Sequence, residues 1–192
     1  MLSTTNSMNF ITRALTSTLA LFASTAPVFA TPSYFQDHVD LLETVMDVGV
    51  KVYVNSAHCD DGRFYGYYEP MGKGTLVICQ ENRIPGVREM TSWTEEDLDT
   101  LRHESHHLVQ DCRGGSGRGD NVLVPVFRDE LGVISFARPI LGDDGLKRIA
   151  DMYGNWGAPW SVIVLEFEAF AVAEGIPASD IALAVEHNCK VR

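Results

Sequence analysis

An α+β fold is predicted for this chain from three observations. Three strand-like segments lie before residue 92, a helix with one buried stripe follows at about residues 94–113, and an almost wholly apolar helix spans residues 160–174. Together they predict a small mixed or antiparallel sheet, packed on the first of these helices and on the second, buried one. The length of 192 residues indicates a single domain.

The first half of the sequence predicts one helix and three strands. Residues 33–48 repeat apolar side chains at helical spacing, with acidic residues between them. Three later segments are rich in β-branched and aromatic residues and are bounded by turn signals. These predicted strands are residues 50–55, 63–68 and 75–80.

The second half is predicted to be mainly helical. Ser92 or Thr94 can cap the helix of residues 94–113, and the glycines of residues 114–117 end it. Residues 118–145 leave two possibilities open, because 122–127 reads as a strand while the rest reads as loop or short helix. Further helices are expected at residues 145–152, 160–174 and 179–186.

The N-terminus has the pattern of a secretory signal peptide at residues 1–30. Arg13 is its only charged residue, a short apolar run covers residues 14–26, and small or moderate side chains precede a cleavage site after Ala30. The run is too short and too interrupted for a membrane span, and no later segment is long and apolar enough. We therefore expect a single domain at residues 31–192, secreted or periplasmic.

The net charge argues against some classes of partner, and the cysteine content predicts disulfides. The net charge is −11, and loss of the leader removes one arginine and no acid, so nucleic acid and anionic membranes are not expected partners. Four cysteines in an exported chain predict two disulfides. Of three possible pairings we favour Cys59–Cys79 and Cys112–Cys189, and the absence of a Cys-x-x-Cys pair argues against a cysteine zinc site.

The strongest chemical signal is the segment His103-Glu104-Ser105-His106-His107, which has the form His-Glu-x-x-His. Residues four apart on a helix share a face, about 5–6 Å apart between β-carbons, so His103 and His107 can bind one Zn²⁺. Glu104 is too close in sequence to share the ion comfortably, but it can take the proton of a metal-activated water.

A catalytic zinc site needs a third protein ligand, and the apolar helix at residues 160–174 offers two acids. A buried carboxylate without a partner is costly, and a metal ion offsets that cost. Glu166 and Glu168 are two residues apart and point about 200° apart on a helix, so one ion cannot take both. The other acid either faces solvent or braces a histidine.

The two motifs resemble the gluzincin group of zinc peptidases, in which a glutamate about 60 residues after His-Glu-x-x-His completes the site. Glu166 and Glu168 both fit the downstream Glu-x-x-Ala pattern, and the wider string Glu-x-Glu-Ala favours Glu166 as the ligand. The resemblance implies a zincin-like fold whose edge strand, expected at residues 75–80, pairs with an extended peptide or protein substrate. It also implies a hydrolase with Glu104 as general base.

The motif excludes membership of the metzincins, a related group of zinc peptidases, and it does not identify the group that stabilises the transition state. A metzincin would carry glycine at 110 and histidine at 113, where this chain has Gln110 and Arg113. Tyr153, His187 and His58 are candidates for the group that stabilises the transition state, with Tyr153 first because it lies between the two motif helices.

The remaining histidines are expected to have no ligand role. His106 is predicted to lie at the surface or to support a ligand, and His38 and His187 to lie at the surface.

Two other classes of protein fit the same residues. One is a zinc-binding domain without turnover, and the other is a disulfide-stapled extracellular binding module without metal. An esterase or amidase that uses the same zinc chemistry also stays open.

Overall fold

The computed structural model describes residues 32–60, 64–114 and 120–190, so the predicted leader lies outside the described residues. These residues form five α-helices and a three-stranded sheet, which confirms the predicted α+β class. In chain order they are α1 Pro32–Asp47, β1 Lys51–Val54, β2 Gly66–Glu69, β3 Thr75–Ile78, α2 Glu95–Arg113, α3 Glu130–Asn155, α4 Trp160–Gly175 and α5 Ala178–Cys189.

The sheet has the order β1–β3–β2, with β3 parallel to β1 and antiparallel to β2. The prediction that residues 75–80 form an edge strand is therefore wrong, because β3 is paired on both sides and its side chains are buried from Leu76 onwards. The strand that packs on α2 at an edge of the sheet is β2. Its register pairs Gly66 with Ile78 and Glu69 with Thr75.

Helix α2 begins at a capping box. Thr94 accepts a hydrogen bond from the backbone N–H of Asp97, and the Asp97 carboxylate accepts one from the backbone N–H of Thr94. The other oxygen of Asp97 accepts from the backbone N–H of Glu81, 2.8 Å away. One buried carboxylate therefore ties the start of α2 to the segment that follows β3.

Helix α3 is longer than predicted. It starts at Glu130 and interrupts its regular geometry at Gly142, where φ is 68° and ψ is 169°, three residues after Pro139. The predicted segment 145–152 lies in its second part. Residues 122–127 form no strand, and they run along the end of α2, where Val124 donates its backbone N–H to the carbonyl oxygen of Gln110 at 3.2 Å.

The described residues form three hydrophobic clusters. The largest joins α1, α2, α5, the sheet and Val172 of α4, the second joins α3 and α4, and the third contains Cys59, Val77 and Cys79. Both predicted disulfides are confirmed, and Cys112–Cys189 joins the last turn of α2 to the end of α5. None of the described helices is long and apolar enough to cross a membrane.

His38 is buried, which corrects the prediction that it lies at the surface. Only 1% of its surface is exposed. Its Nδ1 lies 2.7 Å from the carbonyl oxygen of Tyr34, and its Nε2 lies 2.9 Å from Nη1 of Arg102 on α2. His187 is exposed near the end of α5, as predicted.

Candidate metal centre

Three side chains from α2 and α4 converge on one point. His103 and His107 project from the same face of α2 because they are one helical turn apart, and their Nε2 atoms lie 3.1 Å from each other. Glu166 comes from α4, with Oε2 at 3.3 Å from Nε2 of His103 and Oε1 at 3.5 Å from Nε2 of His107. Each of the three residues is 8% exposed.

These three residues could hold a metal ion. Ligand atoms about 2.0–2.1 Å from a tetrahedral zinc lie about 3.3–3.4 Å from one another, which is close to the three separations observed here. Oε2 of Glu166 is buried and makes no hydrogen bond to any described residue. A cation bound by His103, His107 and Glu166 would satisfy that oxygen.

The electrostatics of the group favour a cation. Burial raises the pKa of Glu166, but His107 and His103 outweigh burial and hold that pKa well below its usual range. Burial lowers the pKa of His107, whereas the Glu166 carboxylate raises it to about 9. In the absence of a metal, positive charge therefore collects beside the Glu166 carboxylate.

Glu104 lies between strand β2 and the candidate metal ligands His103, His107 and Glu166, called the metal group below. It is 6% exposed, and burial raises its pKa, opposed by His103 and His107. The backbone N–H of Tyr68 in β2 lies close enough to its carboxylate to oppose this rise in pKa as well. A carboxylate with a raised pKa, beside a group that could hold a metal, is suited to accept a proton at neutral pH.

Glu168 does not join the metal group. It is fully buried and accepts four hydrogen bonds, from His106 Nε2 at 3.1 Å, Gln110 Nε2 at 2.7 Å and the backbone N–H groups of Val126 and Phe127 at 3.0 and 2.7 Å. Burial raises its pKa, but these donors outweigh burial and lower it. Of the two acids left open by the sequence, Glu166 faces His103 and His107, whereas Glu168 binds His106 and Gln110. His106 is likewise buried rather than at the surface.

Of the three candidates for a transition-state donor, Tyr153 is the one that reaches the metal group. Its hydroxyl lies near Glu166, and burial, followed by Glu166, raises its pKa. Phe170 links it to the ligands, since its ring centroid is 6.5 Å from that of Tyr153 and 4.4 Å from that of His103. His58 packs against Tyr67 with ring centroids 6.0 Å apart and is exposed.

A cleft of about 570 Å³ opens beside the metal group. Two of the candidate ligands, His107 and Glu166, line it, and its walls are residues 121–125 and the first turns of α4. Most wall side chains are apolar: Val122, Leu123, Pro125, Trp160, Val162, Val164 and Leu165, with Asn121, Glu130 and Ser161 as polar members.

Three features of this site are not predicted by the sequence. Gln110 lies three residues after His107, a spacing that puts the two side chains in reach of each other on a helix. Phe170 lies four residues after Glu166, a spacing that also places two side chains on the same face of a helix. The apolar wall at residues 121–125 gave only a possible strand signal, because its role depends on a contact with α4.

The fold and the site define an α+β protein with a buried group of two histidines and one glutamate that could hold a metal ion. The chain belongs to the family described as Domain of unknown function (DUF8637), whose family model matches residues 10–123. The matched part contains the sheet and both histidines, and it ends before α3 and α4, so Glu166 lies beyond it. Comparison with curated proteins and with solved structures found no significant match.

Proposed function

We propose that this protein is an exported, zinc-dependent peptidase of the gluzincin type. The observation that carries the proposal is the set of separations of 3.1, 3.3 and 3.5 Å among the candidate ligand atoms of His103, His107 and Glu166. Two imidazoles and one carboxylate, with a further position open to water, form the donor set of many catalytic zinc sites. When bound, zinc supplies a Lewis acid that acidifies water and polarises a carbonyl group.

The chain's own residues provide the proton transfers. Glu104 takes a proton from the attacking water and passes it to the amine that leaves, which is why its raised pKa matters. Tyr153, whose raised pKa keeps its hydroxyl protonated, donates a hydrogen bond to the carbonyl oxygen as negative charge develops there.

Strand β2 is the proposed docking edge for an extended peptide. Tyr65 bonds through its carbonyl oxygen to the N–H of Cys79, at 2.6 Å, so alternate residues of β2 direct their backbone groups toward β3. Gly66 and Tyr68 direct theirs the other way, and Tyr68 meets Glu104 there. A peptide paired along this edge would bring a carbonyl group to Glu104.

The cleft beside His107 and Glu166 supports a preference for apolar side chains. Its walls are mostly aliphatic and include the half-exposed Trp160. A large apolar side chain of the substrate would bury its surface there, at about 25 cal/mol per Å². We therefore propose peptides with an aliphatic or aromatic residue next to the cleaved bond as substrates.

Export is part of the proposal. The predicted leader at residues 1–30 supports it, and two disulfides are typical of proteins in oxidising compartments. A secreted or periplasmic enzyme would meet peptide substrates there.

The test combines metal content with cleavage. The parent protein, reconstituted with Zn²⁺, is expected to hold one zinc per chain by elemental mass analysis and to cleave members of a peptide library. Glu104→Gln should keep the zinc and lose at least about 10²-fold in rate, because it cannot accept the proton. Glu96→Gln, an exposed change in the first turn of α2, is the matched control and should retain both properties.

The outcomes separate the proposal from its rivals. If Glu104→Gln cleaves as fast as the parent protein, the proposed mechanism is wrong. If zinc binds and nothing is cleaved, the chain is a zinc-binding domain without turnover. If no zinc binds, the disulfide-stapled binding module becomes the better account.

A further inference from the structure

We propose that Gln110 and Glu168 are positioning residues that fix which ring nitrogen of His107 faces the metal. The inference rests on the zinc site of the proposed function, but not on peptide hydrolysis. It concerns a chain of hydrogen bonds that runs from Glu168 on α4 through Gln110 to His107. Gln110 and His107 both lie on α2.

The chain of hydrogen bonds starts at the Glu168 carboxylate, which can only accept hydrogen bonds from the groups around it. Glu168 is fully buried and receives donors from the side chains of His106 and Gln110 and from the backbone of residues 126 and 127. An ionised carboxylate has no proton to give. Whatever faces it must therefore donate.

This requirement sets the orientation of the Gln110 amide. Its Nε2 lies 2.7 Å from Oε2 of Glu168 and 3.1 Å from the carbonyl oxygen of Leu165, and both of these partners are acceptors. The amide nitrogen must point to them, so the amide oxygen points the other way. Oε1 of Gln110 then lies 2.7 Å from Nδ1 of His107.

The orientation of Gln110 in turn selects the tautomer of His107. Because Oε1 only accepts, Nδ1 of His107 carries the proton and donates it. In the neutral, metal-binding form of the ring the lone pair is then on Nε2, which is the atom 3.1 Å from Nε2 of His103 and 3.5 Å from Oε1 of Glu166. Partners of this kind orient metal-binding imidazoles and strengthen their basicity.

The two histidine ligands differ in this respect. Nδ1 of His103 is buried and has no hydrogen-bond partner among the described residues. His103 is held instead by ring packing against Phe170. His107 is therefore the ligand whose ring orientation is set by hydrogen bonds, and we expect the metal affinity to depend on that chain.

The same chain also anchors the wall of the cleft. The segment at residues 124–127 donates three backbone N–H groups to it, from Val124 to the carbonyl oxygen of Gln110 and from Val126 and Phe127 to Glu168. Gln110→Leu removes only the amide, and it leaves Glu168 three of its donors. This makes Gln110→Leu the cleaner variant and Glu168→Gln the supporting one.

The experiment measures zinc affinity by competition with a chromophoric chelator, for the parent protein, Gln110→Leu, Glu168→Gln and the double variant. Each single variant should bind zinc about 10–100-fold more weakly. Both residues act through the same chain of hydrogen bonds. The zinc affinity of the double variant should therefore fall about as far as that of the single variant with the larger loss, and not by the product of the two losses. Ser105→Ala, equally buried on α2 and outside the chain, is the control and should bind zinc like the parent protein.

A second readout reports on the tautomer itself. In the zinc-loaded parent protein, the His107 Nδ1 proton should be visible by NMR and protected from exchange, and Gln110→Leu should lose that protection. Circular dichroism of the metal-free proteins checks that the variants are folded.

The result that overturns the inference is a folded Gln110→Leu protein with the zinc affinity of the parent. Independent, multiplicative losses in the double variant also overturn it. A parent protein that binds no zinc overturns the metal site together with this inference. A parent protein that binds zinc but cleaves no peptide overturns only the peptidase.

Discussion

Gly66 in β2 lies so close to Thr100 in α2 that a β-carbon on Gly66 would be 2.6 Å from Thr100 Cγ2. The same β-carbon would be 2.7 Å from the carbonyl oxygen of Val77 and 3.4 Å from Cγ of Glu104. The missing side chain thus lets the edge strand pack directly on the turn of α2 that carries Glu104. The distance between the strand and Glu104 depends on this glycine.

Gly66→Ala is expected to lower the free energy of unfolding by about 1–3 kcal/mol, since the Val77 carbonyl is backbone and cannot move aside. In the proposed peptidase it should also slow cleavage. Gly154→Ala is the matched control, because a β-carbon at this exposed helical position meets nothing within 4 Å. That control should be neutral or more stable by about 0.5–1 kcal/mol. Denaturant unfolding measures both, and equal stabilities would contradict the close packing.

The two disulfides are expected to differ in their contribution to stability. Cys112–Cys189 spans 77 residues and Cys59–Cys79 spans 20. The chain-entropy argument gives the longer loop about 1 kcal/mol more. Replacement of each pair by serine, followed by denaturant unfolding, should therefore cost more for Cys112–Cys189, within a range of about 2–5 kcal/mol. The reverse order would show that strain or residual structure dominates.

His38 predicts a loss of stability on mild acidification. Burial lowers its pKa, and Arg102 adds to this, against the Tyr34 carbonyl and the acids Glu95 and Asp99. The unfolded chain therefore takes up a proton near pH 6.5 that the folded protein resists. The contribution of neutral His38 is complete above about pH 6.5 and declines as the pH falls below it.

His38→Gln provides the measurement. Glutamine can donate and accept but does not titrate, so the variant should lose less stability than the parent protein between pH 7 and pH 5. Thermal unfolding at a series of pH values compares the two. Identical slopes would mean that His38 is not held neutral in the folded protein.

Local features of the sequence predicted the elements that carry the site. The spacing of His103 and His107 and the cap at Thr94 depend on neighbours within one or two helical turns, so they can be read directly. The pairing of the cysteines also followed from their positions in predicted elements. These features need no knowledge of which faces later pack together.

The predictions that were wrong concern strand position and burial, which depend on contacts between residues distant in sequence. The sequence predicts an edge strand at residues 75–80, but hydrogen bonding to β1 and β2 makes this strand central. It also predicts that His38 lies at the surface, but Arg102, 64 residues away, gives its ring a buried partner. A propensity pattern shows the element and not its neighbours, because burial depends on the face that each neighbour covers.

Local sequence patterns were sufficient to predict the helical turn that carries His103, Glu104 and His107, the α+β class and the presence of two acids in one apolar helix. The choice between those acids depends on how α4 packs on α2. It turns Glu166 to the histidines and surrounds Glu168 with donors from α2 and from residues 126 and 127. The rotation of α4 against α2 sets this choice, because a step of two residues turns a side chain by about 200° and packing alone selects which face is inward.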